Sequence, residues 1–225
     1  MSFFNWAWDW ITTSANWTHG SPSIPQAVLA HLGYSVLPWL IAALIGIPAG
    51  VVIGHRGGNS AVAVINFANA CRAIPTLGLL VLLAVFLGFS PLTWLLPLVV
   101  LAIPSILVNT YEGILGVDPA AKDAAAGMGM SGFQSLLQVE APAALPLIVL
   151  GLRTAAIQVV STATIAAYIG LGGLGRFIID GLADNNYAVV AGGGMIVVLL
   201  ALAVQLVFTI AGRLIVPAGL RKAAH

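Results

Sequence analysis

Five long apolar runs govern what this chain can become, at residues 28–53, 61–89, 91–108, 141–169 and 187–216. Each approaches or exceeds the roughly 18 to 20 residues that a helix needs to cross the hydrocarbon of a bilayer. Hydrocarbon offers the backbone no hydrogen-bond partner, so such a run is confined to a helix that satisfies its own amides. With 7% charged residues and a mean hydropathy of +1.05, the rest of the chain does little to dilute that signal. The expected fold is all-α, a polytopic membrane protein with five transmembrane helices. Its membrane domain covers 25–217, after an N-terminal segment at 1–24 and before a short tail at 218–225.

Sidedness follows from the basic residues. Arg56 comes after the first run, Lys122 lies between the third and fourth, and Arg213, Arg221 and Lys222 close the chain. Placing these inside leaves Arg176 outside, which is the positive-inside arrangement. The expectation is a multi-pass protein of the cytoplasmic (inner) membrane with its N-terminus outside, its C-terminus cytoplasmic and the 111–140 stretch cytoplasmic. Ahead of the first run there is no basic n-region and no small-residue cleavage site, so a signal peptide is not expected. On a helix, Phe3, Trp6, Trp10 and Trp17 share one side, and Asn5, Asp9, Thr12 and Asn16 the other. That pattern suits a segment lying among lipid headgroups.

Several function classes are disfavoured by what the runs lack. All seven acidic residues lie outside the middles of the runs, leaving no intramembrane carboxylate for a proton relay or cation site. This counts against an ion-driven secondary transporter. Neither Lys122 nor Lys222 ends a GxxxxGK[ST] loop, so the chain is not its own ATPase, and no enzyme activity is expected. Cys71 alone permits no internal disulfide, and His19, His31, His55 and His225 are scattered, so neither a metal site nor a cofactor is expected. A net charge of +1 gives no reason to expect nucleic acid. Gly170, Gly172 and Gly175 fit GxGxxG, but no βαβ pattern surrounds them and the match is discarded.

Inside the runs the exceptions to apolarity mark candidate features. Gly46, Gly50 and Gly54 recur every fourth residue, a stripe along which another helix can pack closely. Pro75 should kink the second run, where Asn69, Arg72 and Thr76 fall near one face. Arg72 lies either within the bilayer or at its cytoplasmic edge with its head snorkelling outward. Arg153 is expected inside the bilayer, with Thr154, Gln158 and Thr162 continuing polarity along its helix. The glycine-rich 170–186 stretch, holding Arg176 and Asp180 one turn apart, reads as a short amphipathic re-entry, and Gly192–Gly194 as close packing or a flexible point.

The long interruption from Tyr111 to Pro146 carries Glu112, Asp118, Lys122, Asp123, Gln134, Gln138 and Glu140, and is expected to face water or another protein. Asp118 before Pro119 reads as an N-cap with proline at the first helical position, and the alanine-rich residues after it are strong helix formers. Gly127 and Gly129 should end that helix. Ser131 with Gln134 forms a capping box, starting a second short helix that runs to Pro142.

Asp123-Ala124-Ala125, then Gly129 after three residues, then Val139-Glu140-Ala141-Pro142 after nine more, resembles the cytoplasmic coupling signature of ABC importer permeases. The family's pattern has Glu at the first of these positions, with Ile and Leu where Val139 and Ala141 stand. The stretches Asn109–Ile114, Gly127–Ser131, Ile169–Gly175, Ile74–Leu77 and Leu145-Pro146 are similar to permeases of osmoprotectant importers, which carry glycine betaine, choline, carnitine or proline betaine. Many of those have Gln-Thr where this chain has Arg72-Ala73. The resemblance implies the methionine-importer-like type I ABC permease fold, with a cytoplasmic coupling loop. Asp123, Ala124, Ala125, Gly127, Gly129, Ser131 and Pro142 would engage a separate ATP-binding subunit. Asn69, Arg72, Pro75, Thr76, Arg153, Gln158, Gly172 and Gly173 are the candidates for the pathway and its gate. The implied partners are ATP-binding ABC subunits, an extracytoplasmic solute-binding protein, a second permease chain (the same or a related one) and the bilayer itself. A permease for methionine, phosphonate or another small solute is the alternative within the class, and an ion-driven secondary transporter the alternative outside it.

Overall fold

The computed structural model describes residues 3–19, 22–217 and 219, and the regular structure among them is helical throughout. The expected tail at 218–225, Arg221 and Lys222 included, lies outside the described residues apart from Gly219. In chain order the helices are α1 (Phe3–Thr12), α2 (Ala15–Thr18), α3 (Ile24–Arg56), α4 (Asn59–Cys71), α5 (Thr76–Leu87) and α6 (Pro91–Leu115). Then come α7 (Pro119–Gly127), α8 (Gly132–Ser135), a π-helical turn (Leu136–Glu140), α9 (Ala141–Thr162), a 3-10 segment (Ala163–Ile169), α10 (Gly175–Ala183) and α11 (Tyr187–Ile215).

Among the described residues, four stretches are long and apolar enough to cross a membrane: α3, α6, the continuous run Gly132–Ile169, and α11. The 33 residues of α3 measure about 50 Å at 1.5 Å per residue, well beyond the roughly 30 Å of hydrocarbon. The second expected span differs from a kinked rod. It is two helices, α4 and α5, separated by Arg72–Pro75, and makes a fifth crossing only as a broken pair. Pro75 supplies no N–H and takes the extended backbone of an N-cap (φ −64°, ψ 113°), so α4 cannot continue through it. Pro142 behaves in the opposite way from expectation. It falls in the first turn of α9, where a missing N–H costs little, and the helix runs on past it.

The chain divides into two compact units. One comprises, of the described residues, 3–19, 22–39, 75–99 and 156–204. Its core gathers Ile24, Ala27, Leu174 and Ile196, with Trp10, Ile11 and Phe177 packed on them. Trp10 lies edge-on to Phe177 (5.0 Å, 67°) and its indole occupies the space that a side chain at Gly192 would need. Trp6 stacks on Tyr187 at 6.1 Å. The tryptophan face of α1, expected to meet headgroups, is therefore committed to α10 and α11 in its Trp6 and Trp10 members, while Phe4 and Trp8 are exposed. The glycines of α11 decide this, since Gly192 admits the indole and Gly193 lies against Phe177. Arg176 and Asp180 pair at 2.8 Å along α10.

The other unit comprises, of the described residues, 40–74, 100–155, 205–217 and 219. Here the glycine stripe of α3 lies against α6. A Cβ on Gly46 would stand 3.1 Å from Ile106 Cβ, one on Gly50 2.7 Å from both the Leu107 carbonyl oxygen and Thr110 Cβ, and one on Gly54 2.8 Å from Ile114 Cβ. Helices in lipid gain nothing from hiding apolar surface, so this approach supplies the dispersion contacts that hold them together. Gly151 of α9 meets Asn109 and Ser105 of α6 in the same way, and Ile114, Ala144 and Ile148 fill the space beside it.

Gly50→Leu is expected to cost on the order of 1–3 kcal/mol or more by overpacking, lowering the thermal midpoint in detergent by several degrees. Gly33→Leu, with nothing within 4 Å of the added carbon, should leave the midpoint unchanged or raise it.

Candidate functional site

The polar interruption folds into a corner within the second unit. Asp118 caps α7 by accepting from the Ala120 N–H at 2.9 Å, and Pro119 fills the position behind it. At the far end Gly127 closes the helix, the Gly129 N–H donates to the Ala126 carbonyl (2.9 Å) and the Met130 N–H to that of Ala125 (3.1 Å). This closure needs a left-handed residue, and Gly129 supplies it at φ +81°. Ser131 then starts α8 with both halves of its capping box formed. The Gln134 N–H donates to Ser131 Oγ (3.3 Å), and the Ser131 N–H to Gln134 Oε1 (2.8 Å). Of the coupling candidates, Asp123, Ala124, Ala125, Gly127, Gly129 and Ser131 thus lie along one short path, and Pro142 falls in α9. Asp123 and Ala124 are exposed on α7, whereas Ala125 is 1% exposed and turned into the protein. Met128 at 74% and Phe133 at 69% stand out from the corner, the kind of exposed apolar surface that suits a protein partner.

Glu140 departs from the expectation that this stretch faces water or another protein. It is 2% exposed, and its carboxylate accepts from His55 Nδ1 at 2.9 and 3.0 Å and from Ser135 Oγ at 3.3 Å. Lys122 Nζ stands 3.5 Å away and donates to the Ile114 carbonyl at 3.2 Å. The π-helical turn explains the orientation. Its wider winding, closed by the Ala141 N–H on the Leu136 carbonyl, inserts a residue ahead of α9 and changes the direction in which Glu140 points. His55, Lys122, Ser135 and Glu140, with Ala126, Met130 and Gly132, line a cleft of about 270 Å3. Sequence reading missed His55, Ser135 and Glu140. The available signal was the expected sidedness, since His55 adjoins Arg56 at the end of the first run and Glu140 precedes the fourth.

The pathway candidates are divided between the units. Asn69, exposed on α4, Arg72, exposed at its C-cap, and Arg153, half-buried on α9, belong to the second. Arg153 lines a groove of about 480 Å3 with Arg213, Thr209 and Phe208. Pro75, Thr76, Gln158, Gly172 and Gly173 belong to the first unit. There Gly173, at φ +86°, backs onto buried His31, whose Nε2 donates to the Val160 carbonyl at 2.8 Å.

Removing the cap hydroxyl with Ser131→Ala is expected to cost about 1 kcal/mol locally. Amide hydrogen exchange over residues 131–135 should then quicken by about fivefold, with exchange in α3 and α6 unchanged.

A family model described as "Binding-protein-dependent transport system inner membrane component" matches residues 46–219. The chain is 34% identical over 191 residues to the "Glycine betaine/carnitine/choline transport system permease protein OpuCB" of Bacillus subtilis, covering 85% of this chain and 88% of that one. It is 32% identical over 192 residues to the "Choline transport system permease protein OpuBB" of the same organism, with the same coverage. Among solved structures, a chain of the MetNI methionine ABC transporter in an inward-facing conformation superposes with a TM-score of 0.74 at 24% identity, over 85% of this chain and 95% of that one. That likeness establishes the fold. The chain belongs to the family of inner-membrane components of binding-protein-dependent transport systems, the permease subunits of ABC importers.

Proposed function

We propose that this permease carries small quaternary-amine osmoprotectants, of the glycine betaine, carnitine and choline type, inward across the cytoplasmic membrane. The observation that carries the substrate class is identity above 30% across most of the chain to permeases named for those solutes. The work is done by ATP hydrolysed on separate subunits. An extracytoplasmic binding protein delivers the solute, and a second permease chain, identical or related, completes the pathway.

The corner built from α7 and α8 is the handle on which the ATPase pulls. Support comes from its shape and surface: a short capped helix, a glycine turn, and exposed Asp123, Ala124, Met128 and Phe133. The distribution of basic residues favours a cytoplasmic corner and an outer N-terminus. Ala125, being turned inward, serves the permease side of the joint and Ala124 the ATPase side. Asn69, Arg72, Pro75, Thr76, Arg153, Gln158, Gly172 and Gly173 are offered as pathway or gate positions on their polarity or backbone freedom.

Labelled glycine betaine, carnitine, choline and methionine, given to cells lacking their own importers and expressing this chain with its ATPase and binding protein, test the proposal. Uptake of at least one quaternary amine, abolished when the ATPase is omitted, is expected; uptake of methionine alone would refute the substrate class. Gly129→Val forces a β-branched side chain onto left-handed backbone, at about 1–2 kcal/mol, in the turn that aims the corner. It should reduce uptake by about tenfold or more while the protein stays in the membrane, a loss that strain of that size in a coupling joint can produce. Normal uptake in this variant would contradict the coupling role.

A further inference from the structure

Among the described residues, Glu140 is the only Asp, Glu, Lys or Arg side chain that is buried. A carboxylate withdrawn from water is tolerated only when its charge and lone pairs are met. Its three partners come from three elements: His55 from the last turn of α3, Lys122 from the middle of α7 and Ser135 from the end of α8. Glu140 itself immediately precedes α9, and Lys122 is tied a second time to the Ile114 carbonyl near the end of α6.

This arrangement cross-braces a joint. Without it α7 would be held by the packing of Ala125 and by two covalent connectors, the 116–118 link and the glycine turn. With it, α7 and α8 are tied to the end of α3 through one desolvated charge, and Lys122 adds a link to the end of α6, in a cleft that keeps Lys122 and His55 partly solvated. The π-helical turn strengthens the case. Such turns are rare, and this one leads directly into the carboxylate.

We propose that Glu140 is a positioning residue of the transport cycle: its carboxylate, held by His55, Lys122 and Ser135, makes the corner and the adjoining ends of α3, α6 and α9 move as one body. Loss of its charge lets the corner yield, so that hydrolysis proceeds without moving solute. The proposal rests on the permease function and adds the joint through which motion passes.

The test uses the whole importer, this chain with its ATPase and binding protein, in proteoliposomes, with ATP hydrolysed per solute moved as the readout. A residue that merely stabilises the fold would lower both rates together and leave that ratio alone. Glu140→Gln is expected to keep ATPase activity within about twofold of the parent and to raise the ratio by about tenfold, because the ties of His55, Lys122 and Ser135 all end on that charge. Glu140→Asp, which keeps the charge, should recover most of the coupling. Lys122→Met should raise the ratio about threefold, and in the double variant the two effects should not multiply, as expected of groups in one network. An unchanged ratio in Glu140→Gln, or multiplicative effects in the double variant, would overturn the proposal. If Glu140→Gln fails to assemble, Lys122→Met alone decides, and a parental ratio there refutes it. A parent complex that pumps while the variants keep its ratio sinks only the brace, whereas a parent that moves no solute sinks the permease reading.

Discussion

Hydrocarbon forbids a backbone amide from going unpaired, and nearly every feature of this molecule answers to that prohibition. It turns four stretches into long helices and leaves the second apolar run, which cannot be helical through Pro75, as a broken pair. It also removes hydrophobic burial as the glue between helices, because lipid is as apolar as leucine. What remains is proximity. Gly46, Gly50 and Gly54 bring α3 against α6, the last two at distances where any side chain would collide, and Gly151 does the same for α9. On the first unit the same logic is met from the other side, with a large indole filling the gap that Gly192 leaves.

Against this apolar background a single buried charge stands out among the described residues. In a soluble domain the His55–Glu140–Lys122 group would be one ion-pair cluster among many, and surface pairs of that kind contribute little. Here the carboxylate is shut away, so its partners are not interchangeable with water. Breaking such a group by removing one member costs about 3–5 kcal/mol where burial is complete, and less here because His55 and Lys122 remain about one-third exposed. The cluster lies beside the corner that the proposed motor contact would use, which gives a structural charge a mechanical setting.

Much of this was legible in the residues because the signals are local. Cap, proline and glycine positions from Asp118 to Ser131 each act within one or two turns, and the structure forms the helices they call for. The four-residue glycine period needs no knowledge of the partner to announce a close contact. The failures have a common physical cause. Glu140 reads as solvated because its partner His55 is 85 residues away and the turn that redirects it has no reliable sequence mark. The inward commitment of Trp6 and Trp10 was hidden because a tryptophan face looks the same whether it meets headgroups or another helix. The end assigned to Pro142 failed because proline is compatible both with stopping one helix and with starting the next. The division of the pathway candidates between two units could not be inferred from their order along the chain.

The central claim is that the α7–α8 corner is an inward-facing handle for a motor this chain does not contain. Thiol accessibility tests it most directly. In a Cys71→Ala background, Met128→Cys places one exposed thiol at the tip of the corner. A membrane-impermeant maleimide should label it in inside-out vesicles and not in right-side-out ones, and bound ATPase subunits should protect it. Labelling from the outer side, or labelling that the ATPase leaves untouched, would contradict the account.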